Sequence, residues 1–177
     1  MTTIKHCFPR KQALIVPIVM ALVLGATWAS AESNIVSQQR VVTEKGWTGA
    51  FAQKSEKSFG MTFADDVVLH ASALSQPVVG REHVQAVMST ASKLYEKLEF
   101  VDQASNGRRT WLEWKAVALG GKEFSGVTVL TRNDKGEIVE ASIHHRPRWA
   151  AMMFGDELHK RLPGVITSEY VAALDRR

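Results

Sequence analysis

The sequence predicts an α+β domain, with helices first and a largely antiparallel sheet after them. Two observations carry this. Between residues 81 and 98, Val84, Val87, Met88, Ala91, Leu94, Tyr95 and Leu98 form one apolar stripe at helical spacing. From residue 109 to 145, three β-rich runs follow one another closely, separated by Gly120-Gly121 and by Asn133-Asp134-Lys135-Gly136. Short glycine-bearing turns join antiparallel neighbours.

A leader precedes these elements. Residues 1–31 have the layout of a secretory signal peptide: Lys5, Arg10 and Lys11 at the start, a 16-residue apolar stretch over 13–28, and Ala29-Ser30-Ala31 as a small-x-small cleavage site. The stretch falls short of the roughly 20 residues of a membrane-spanning helix, and Pro17 removes a backbone donor from it. An uncleaved N-terminal anchor is the alternative. Cleavage after Ala31 leaves 146 of the 177 residues, the size of one domain, in the periplasm or outside the cell, with no membrane partner. The leader holds three of the 22 basic residues and none of the 18 acidic ones, so the remaining net charge is +1. Nothing in that balance argues for a nucleic-acid surface. Cys7 lies in the leader, so the rest of the chain cannot form a disulfide and relies on apolar burial.

Residues 33–58 read as helical. Ser33 or Asn34 supplies a cap, and Gly46 and Gly49 mark a kink or break. Residues 67–71 form a short β-rich run, 72–79 a loop with Pro77, and 81–98 the striped helix. A weaker strand over 99–104 precedes the strands over 109–119, 123–132 and 137–145. Arg146-Pro147 ends the sheet, since proline cannot donate to a ladder. Residues 149–177 make a C-terminal tail, helical to about 174 with a break at Pro163-Gly164. The folded domain thus spans 32–148.

Strand alternation assigns faces. In the last strand Val139, Ala141, Ile143 and His145 share the more apolar side, expected to face inward, opposite Ile138, Glu140, Ser142 and His144. In the first hairpin strand Leu112, Trp114, Ala116 and Ala118 point in, while Trp111, Glu113 and Lys115 point out. A tryptophan on an open sheet face marks a contact surface.

The run Phe63-Ala64-Asp65-Asp66, followed by a short strand, Pro77, then Gly80-Arg81-Glu82, and later Gly136-Glu137-Ile138, resembles the ketosteroid-isomerase and SnoaL-like polyketide-cyclase group of the nuclear transport factor 2-like superfamily. The resemblance spans residues 47–147. It implies a cone: one curved antiparallel sheet wrapped around N-terminal helices, with an apolar pocket inside and a homodimer formed through the outer sheet face. Ketosteroid isomerases use a carboxylate base and hold the oxyanion with a tyrosine and a protonated acid. Counted from the shared motifs, the base position falls on Ala71, five after Asp66. The tyrosine position falls on Trp47, sixteen before Phe63, and the second acid falls on Thr128, eight before Gly136. All three chemistries are changed, so ordinary ketosteroid isomerase activity is expected to be absent. The cyclases place an acid near the end of the last strand, where this chain reads Ser142-Ile143-His144-His145-Arg146-Pro147.

His145 is the first candidate for chemistry, as a general base with Thr128 and Trp47 as donors, because an imidazole titrates near neutrality. The alternative is a structural histidine bonded to backbone or to Asp156 or Glu157. His144 points the opposite way along a strand of period two, so the pair cannot chelate one metal from one face. No metal or cofactor is expected. His70 faces away if Ala71 faces the pocket, and Asp65-Asp66 read as the end of the helical run turning into the first strand. Besides a protein-interaction adaptor using the outer sheet face around Trp111, two functions stand open. One is an exported pocket protein holding a small apolar molecule among Trp47, Phe51, Ala71, Leu112, Trp114, Thr128, Val139, Ile143 and His145. The other is an isomerase, dehydratase, hydrolase or cyclase acting on a small hydrophobic substrate through His145.

Overall fold

The computed structural model describes residues 45–172; the leader, its cleavage site, residues 33–44 and the end of the tail lie outside the described residues. In chain order the elements are α1 (Lys45–Gln53), α2 (Glu56–Gly60), β1 (Phe63–Ala71), β2 (Val78–Val79), α3 (Arg81–Leu94), β3 (Tyr95–Asn106), β4 (Arg109–Ala118), β5 (Lys122–Arg132), β6 (Ile138–Arg146), α4 (Arg148–Arg161) and α5 (Ser168–Ala172). Helices therefore precede a six-stranded, curved and unclosed sheet, an α+β fold.

The sheet order is β2-β1-β6-β5-β4-β3. β3, β4, β5 and β6 pair antiparallel as a meander, and β2 pairs antiparallel with β1. β1 and β6 pair parallel, with Leu69 opposite Ala141 and Ala71 opposite Ile143. The sheet is therefore mixed. The parallel pair brings the end of β1 beside the end of β6, which matters for the site below.

The first helical run breaks at Lys54-Ser55, while Gly46 and Gly49 both lie inside α1. Ser55 starts α2 because its Oγ accepts the Ser58 amide at 3.2 Å and so satisfies an orphan donor of the first turn. Asp65 and Asp66 do not end a helix. They sit within β1, in an irregular stretch between the pairs Phe63–Ile138 and Val68–Glu140. Arg81 closes over this stretch, its Nε donating to the Phe63 carbonyl at 2.9 Å and its guanidinium pairing with Asp65 at 2.8 Å. Gly80, at φ +91°, turns the chain into α3 through a backbone region that favours glycine.

α3 ends at Leu94, four residues before its apolar stripe does. Tyr95 is already extended and pairs with Ala118, so the β3–β4 ladder captures Tyr95 to Leu98. The Glu96 carboxylate anchors the exchange by accepting the amides of Gly120 and Gly121 at 2.9 and 3.1 Å. β3 consequently starts before residue 99 and runs past 104.

One face of the sheet carries the core. Val84, Val87, Met88, Ala91 and Leu94 of α3 are buried against it, together with Leu112, Trp114, Ala116 and Ala118 of β4. Each large side chain of this set contributes about 1.5–3 kcal/mol. Trp47 of α1 meets Phe51, Phe59 and Phe63 edge-on, with ring centroids 5.3, 6.0 and 6.2 Å apart. Such pairs add roughly 0.5–1.5 kcal/mol beyond the area they bury. The alternation along β6 fails at one point. Val139 is an extra residue between the pairs Arg132–Ile138 and Thr131–Glu140, which is a β-bulge. Ile138 is therefore buried and Val139 only half-buried, against the strict alternation that puts Val139 inside. Beyond the bulge the expectation holds: Ala141 and Ile143 are buried and His144 is exposed.

Candidate functional site

Two rows of cross-strand neighbours build the interior near the end of β6. Leu112, Thr128, Ile143 and Ala71 stand opposite one another across β4, β5, β6 and β1. The next row is Trp114, Gly126 and His145. Gly126 is required there. A Cβ built on it would lie 2.2 Å from the Trp114 ring and 2.2 Å from the His144 carbonyl oxygen. The missing side chain lets the Trp114 indole lie over β5. Its Nε1 donates to Thr128 Oγ1 at 3.1 Å, and its ring meets the His145 imidazole at 5.3 Å.

His145 is held from three sides. Ser72, just after β1, accepts the His145 backbone N–H through Oγ at 2.9 Å, and the same Oγ lies 3.2 Å from Nδ1. Tyr95 Oη lies 3.4 Å from Nε2. The rings of Phe124 and Phe154 pack at 6.2 and 5.0 Å. The pattern is satisfied with the Ser72 hydroxyl donating to Nδ1 and the imidazole proton on Nε2, directed at Tyr95. Burial, with the neighbouring charge of His144, pushes the His145 pKa down to about 4, so the ring is neutral at pH 7. Burial also raises the Tyr95 phenol above its ordinary value, so it stays protonated. Asp156 and Glu157 are not the partners of His145. Its α4 contact is the ring of Phe154.

Two clefts flank this constellation. The first, about 340 Å³, opens between α1 and the start of β3, with Phe51, Lys54, Tyr95, Leu98 and Phe100 on its walls. The second, about 280 Å³, lies at the ends of β1 and β6, with His70, Ala71, Ser72, Ile143 and His144 on its walls. A third hollow of about 370 Å³ follows β3, β4 and β5, but Lys97, Glu99, Lys115 and Glu123 give it charged walls around Phe124.

The residues singled out from sequence are distributed among these features. Phe51 lines the first cleft, and Ala71 and Ile143 line the second. Trp47, Leu112, Trp114 and Thr128 are all but inaccessible, at 0–2% exposure, within the packed core. His145 stands between the clefts, bonded to Ser72 of one and Tyr95 of the other. Thr128 and His145 come together around Trp114, whereas the ring neighbours of Trp47 are Phe51, Phe59 and Phe63. Sequence reading missed Ser72, Lys54, Phe100 and Phe154, and took Tyr95 only as part of a helical stripe. The period-two pair Leu98 and Phe100 is the signal that could have found part of the cleft wall, whereas Tyr95, three residues before Leu98, joins it through the register shift between Tyr95 and Lys97. Among the described residues no group of three or more His, Cys, Asp and Glu side chains is placed to hold a metal ion.

No family model matches the chain, and no curated protein does. Solved structures do. A steroid delta-isomerase from Pseudomonas aeruginosa aligns with a TM-score of 0.61 at 22% identity, over 84% of this chain and 100% of that one. An uncharacterised bacterial protein with a cystatin-like fold from Silicibacter pomeroyi aligns with a TM-score of 0.61 at 21% identity, over 64% of this chain and 79% of that one. A nuclear transport factor 2-like protein of unknown function from Mesorhizobium loti aligns with a TM-score of 0.52 at 16% identity, over 67% and 93%. At these identities the likeness concerns architecture, and function has to come from the site. The helices, the curved mixed sheet and these alignments together give the chain the nuclear transport factor 2-like fold.

Proposed function

We propose that this chain is an exported binding protein that holds a small apolar molecule in the cleft between α1 and β3 without turning it over. The observation that carries the reading is the cleft's wall. Phe51, Tyr95, Leu98 and Phe100 form the apolar side of a wall that Lys54, Glu96 and Lys97 complete, around about 340 Å³, a size and a mixture of apolar and few polar groups within the range of small-molecule sites. The interior polar constellation, by contrast, is satisfied by itself, because both ring nitrogens of His145 already face hydroxyl partners. A general base must reach the proton it removes, and here Ser72 and Tyr95 occupy both approaches. Export is supported by the layout of residues 1–31.

The catalytic alternative keeps one observation in its favour. His145 is uncharged at neutral pH and touches a serine and a tyrosine. It would require a substrate to displace the Tyr95 hydroxyl from Nε2. It would also require a donor other than Thr128, which lies in the packed core at 2% exposure. The Pseudomonas protein is described as a steroid isomerase. Counted along the sequence motifs, Ala71, Trp47 and Thr128 fall where the ketosteroid-isomerase resemblance expects a base, a phenol and an acid, and none of them supplies the same proton chemistry. For assembly, the outward face bearing Trp111, Glu113 and Lys115 is the proposed homodimer contact, to be checked by sedimentation velocity of a Trp111→Ser variant.

Native mass spectrometry of the protein isolated from its own host, followed by denaturation, tests the reading. A released apolar molecule, retained by His145→Ala, is expected. An empty protein that converts an unsaturated ketone or ester only when His145 is intact would overturn it.

A further inference from the structure

We infer that the ligand of the α1–β3 cleft is an amphipathic monoanion, an apolar or aromatic body carrying one carboxylate, with Lys54 as its charge partner. This rests on the reading of that cleft as the ligand site. Lys54 directly follows α1 and takes φ +53°, a left-handed conformation that a residue with a Cβ adopts rarely. Its backbone is fixed on both sides. The amide donates to the Ala50 carbonyl at 2.9 Å, and the carbonyl accepts from Ser89 Oγ at 3.3 Å. The half-buried side chain returns over the cleft, where Nζ donates to the Tyr95 carbonyl at 3.0 Å. An ammonium has three donors, so this bond leaves further donor capacity at the cleft wall.

The anions nearby are committed elsewhere. Glu96, the acid on this wall, directs its carboxylate at the amides of Gly120 and Gly121. Lys97 pairs with Glu99 at 3.7 Å. Among the described residues no carboxylate stands within 4 Å of the Lys54 ammonium.

This arrangement discriminates between ligands. A neutral apolar molecule filling the cleft would strip water from the ammonium and return nothing to it, which is unfavourable. A carboxylate on the same body meets the ammonium and restores the lost hydrogen bonds as charge-assisted ones. A phosphate dianion fits less well, because Lys97, the other cation on this wall, is paired with Glu99 and the planar multidentate donors suited to phosphate are not on this wall.

The test is calorimetric titration of the full protein at pH 7 with 2-naphthoate and with its neutral counterpart 2-naphthamide. Naphthoate is expected to bind about tenfold tighter. Lys54→Gly, which suits the left-handed backbone and so preserves the fold, should bring the ratio of the two affinities from about ten down to about one. Lys54→Arg should retain most of the preference. Phe100→Ala should weaken both probes alike. Equal affinities for the two probes, unaffected by Lys54→Gly but lost in Phe100→Ala, would overturn the charge inference while the cleft reading stands. Binding insensitive to Phe100→Ala, or no binding of either probe at millimolar concentration, would overturn the cleft reading and this inference with it.

Discussion

The β4–β6 end of the interior and the α1–β3 end are made of the same kinds of residue and do opposite things. At the first, Gly126 withdraws a side chain, Trp114 crosses the gap to Thr128, and Phe124 and Phe154 close around His145. Space is consumed and every polar group named there has a partner. At the second, aromatic edges meet across a gap and a lysine is folded back over it, leaving about 340 Å³. Tyr95 belongs to both, with its ring 6.0 Å from Phe51 and 4.9 Å from Phe154 and its hydroxyl toward His145. An inward-facing histidine therefore does not by itself make a site. What decides is whether the rings around it leave room and whether its nitrogens are already engaged.

The largest expected effect comes from breaking the packed end. Gly126→Ala places a methyl 2.2 Å from the Trp114 ring and from the His144 backbone oxygen. The backbone cannot yield as a flexible side chain would, so Trp114 must leave its place over β5 and lose its bond to Thr128. Overpacking of this kind costs about 3 kcal/mol. Urea denaturation should show the midpoint falling by that equivalent, and a change below roughly 1 kcal/mol would mean that Trp114 is not pinned there.

A comparable effect should follow from pH. The His145 pKa is about 4 in the folded chain, against 6.5 for the ordinary imidazole. Above pH 6.5 the ring is neutral in both states and contributes no pH dependence. Between 6.5 and 4 the unfolded chain takes the proton first, so stability falls as pH falls, and below 4 the contribution levels off. The depression corresponds to roughly 3 kcal/mol across that window. Denaturation at pH 7 and pH 4.5 should show His145→Gln losing less stability on acidification than the parent. Equal losses would mean that the imidazole is open to water.

What the sequence made legible follows from what periodicity measures. Alternation within one strand placed Leu112 and Trp114 inward and turned His144 away from His145, and Pro163-Gly164 marked the break between α4 and α5. Relations between strands were not legible. The bulge at Val139 exists because β5 and β6 shift register there, and Asp65-Asp66 lie in a strand because β1 and β6 shift against each other. Neither shift leaves a mark in either strand alone. The end of α3 was hidden for a related reason. Leu94, Tyr95 and Leu98 fit a helical stripe, and only pairing with β4 turns Tyr95 into a strand residue. The partners of His145 were hidden by distance, since Ser72 is 73 residues away in sequence and Tyr95 is 50.

A smaller effect is expected at Tyr95, the residue the two ends share. Tyr95→Phe keeps the ring contacts with Phe51 and Phe154 but removes the hydroxyl facing His145 Nε2. A buried imidazole N–H that loses its acceptor costs about 1 kcal/mol. If the ends are as independent as their packing suggests, naphthoate affinity for the cleft should change by less than about twofold. A large loss of affinity would mean that the hydroxyl, and with it His145, takes part in binding.

The smallest expected effect lies outside both ends, at the irregular stretch of β1. Arg81 makes two contacts there that differ in kind. Its guanidinium meets Asp65, which is 90% exposed, while its Nε reaches the Phe63 backbone carbonyl at 2.9 Å. An exposed ion pair contributes about 0–1 kcal/mol and is screened by salt. Asp65→Asn should therefore cost no more than about 0.5 kcal/mol, and the difference should vanish at high salt. Arg81→Met also removes the donor to Phe63, a contact that salt does not screen. It should cost about 1 kcal/mol more, at any ionic strength. If the two variants lose equal stability and both losses disappear in salt, the backbone bond does not hold β1 in its bulged register, and the carboxylate pair does.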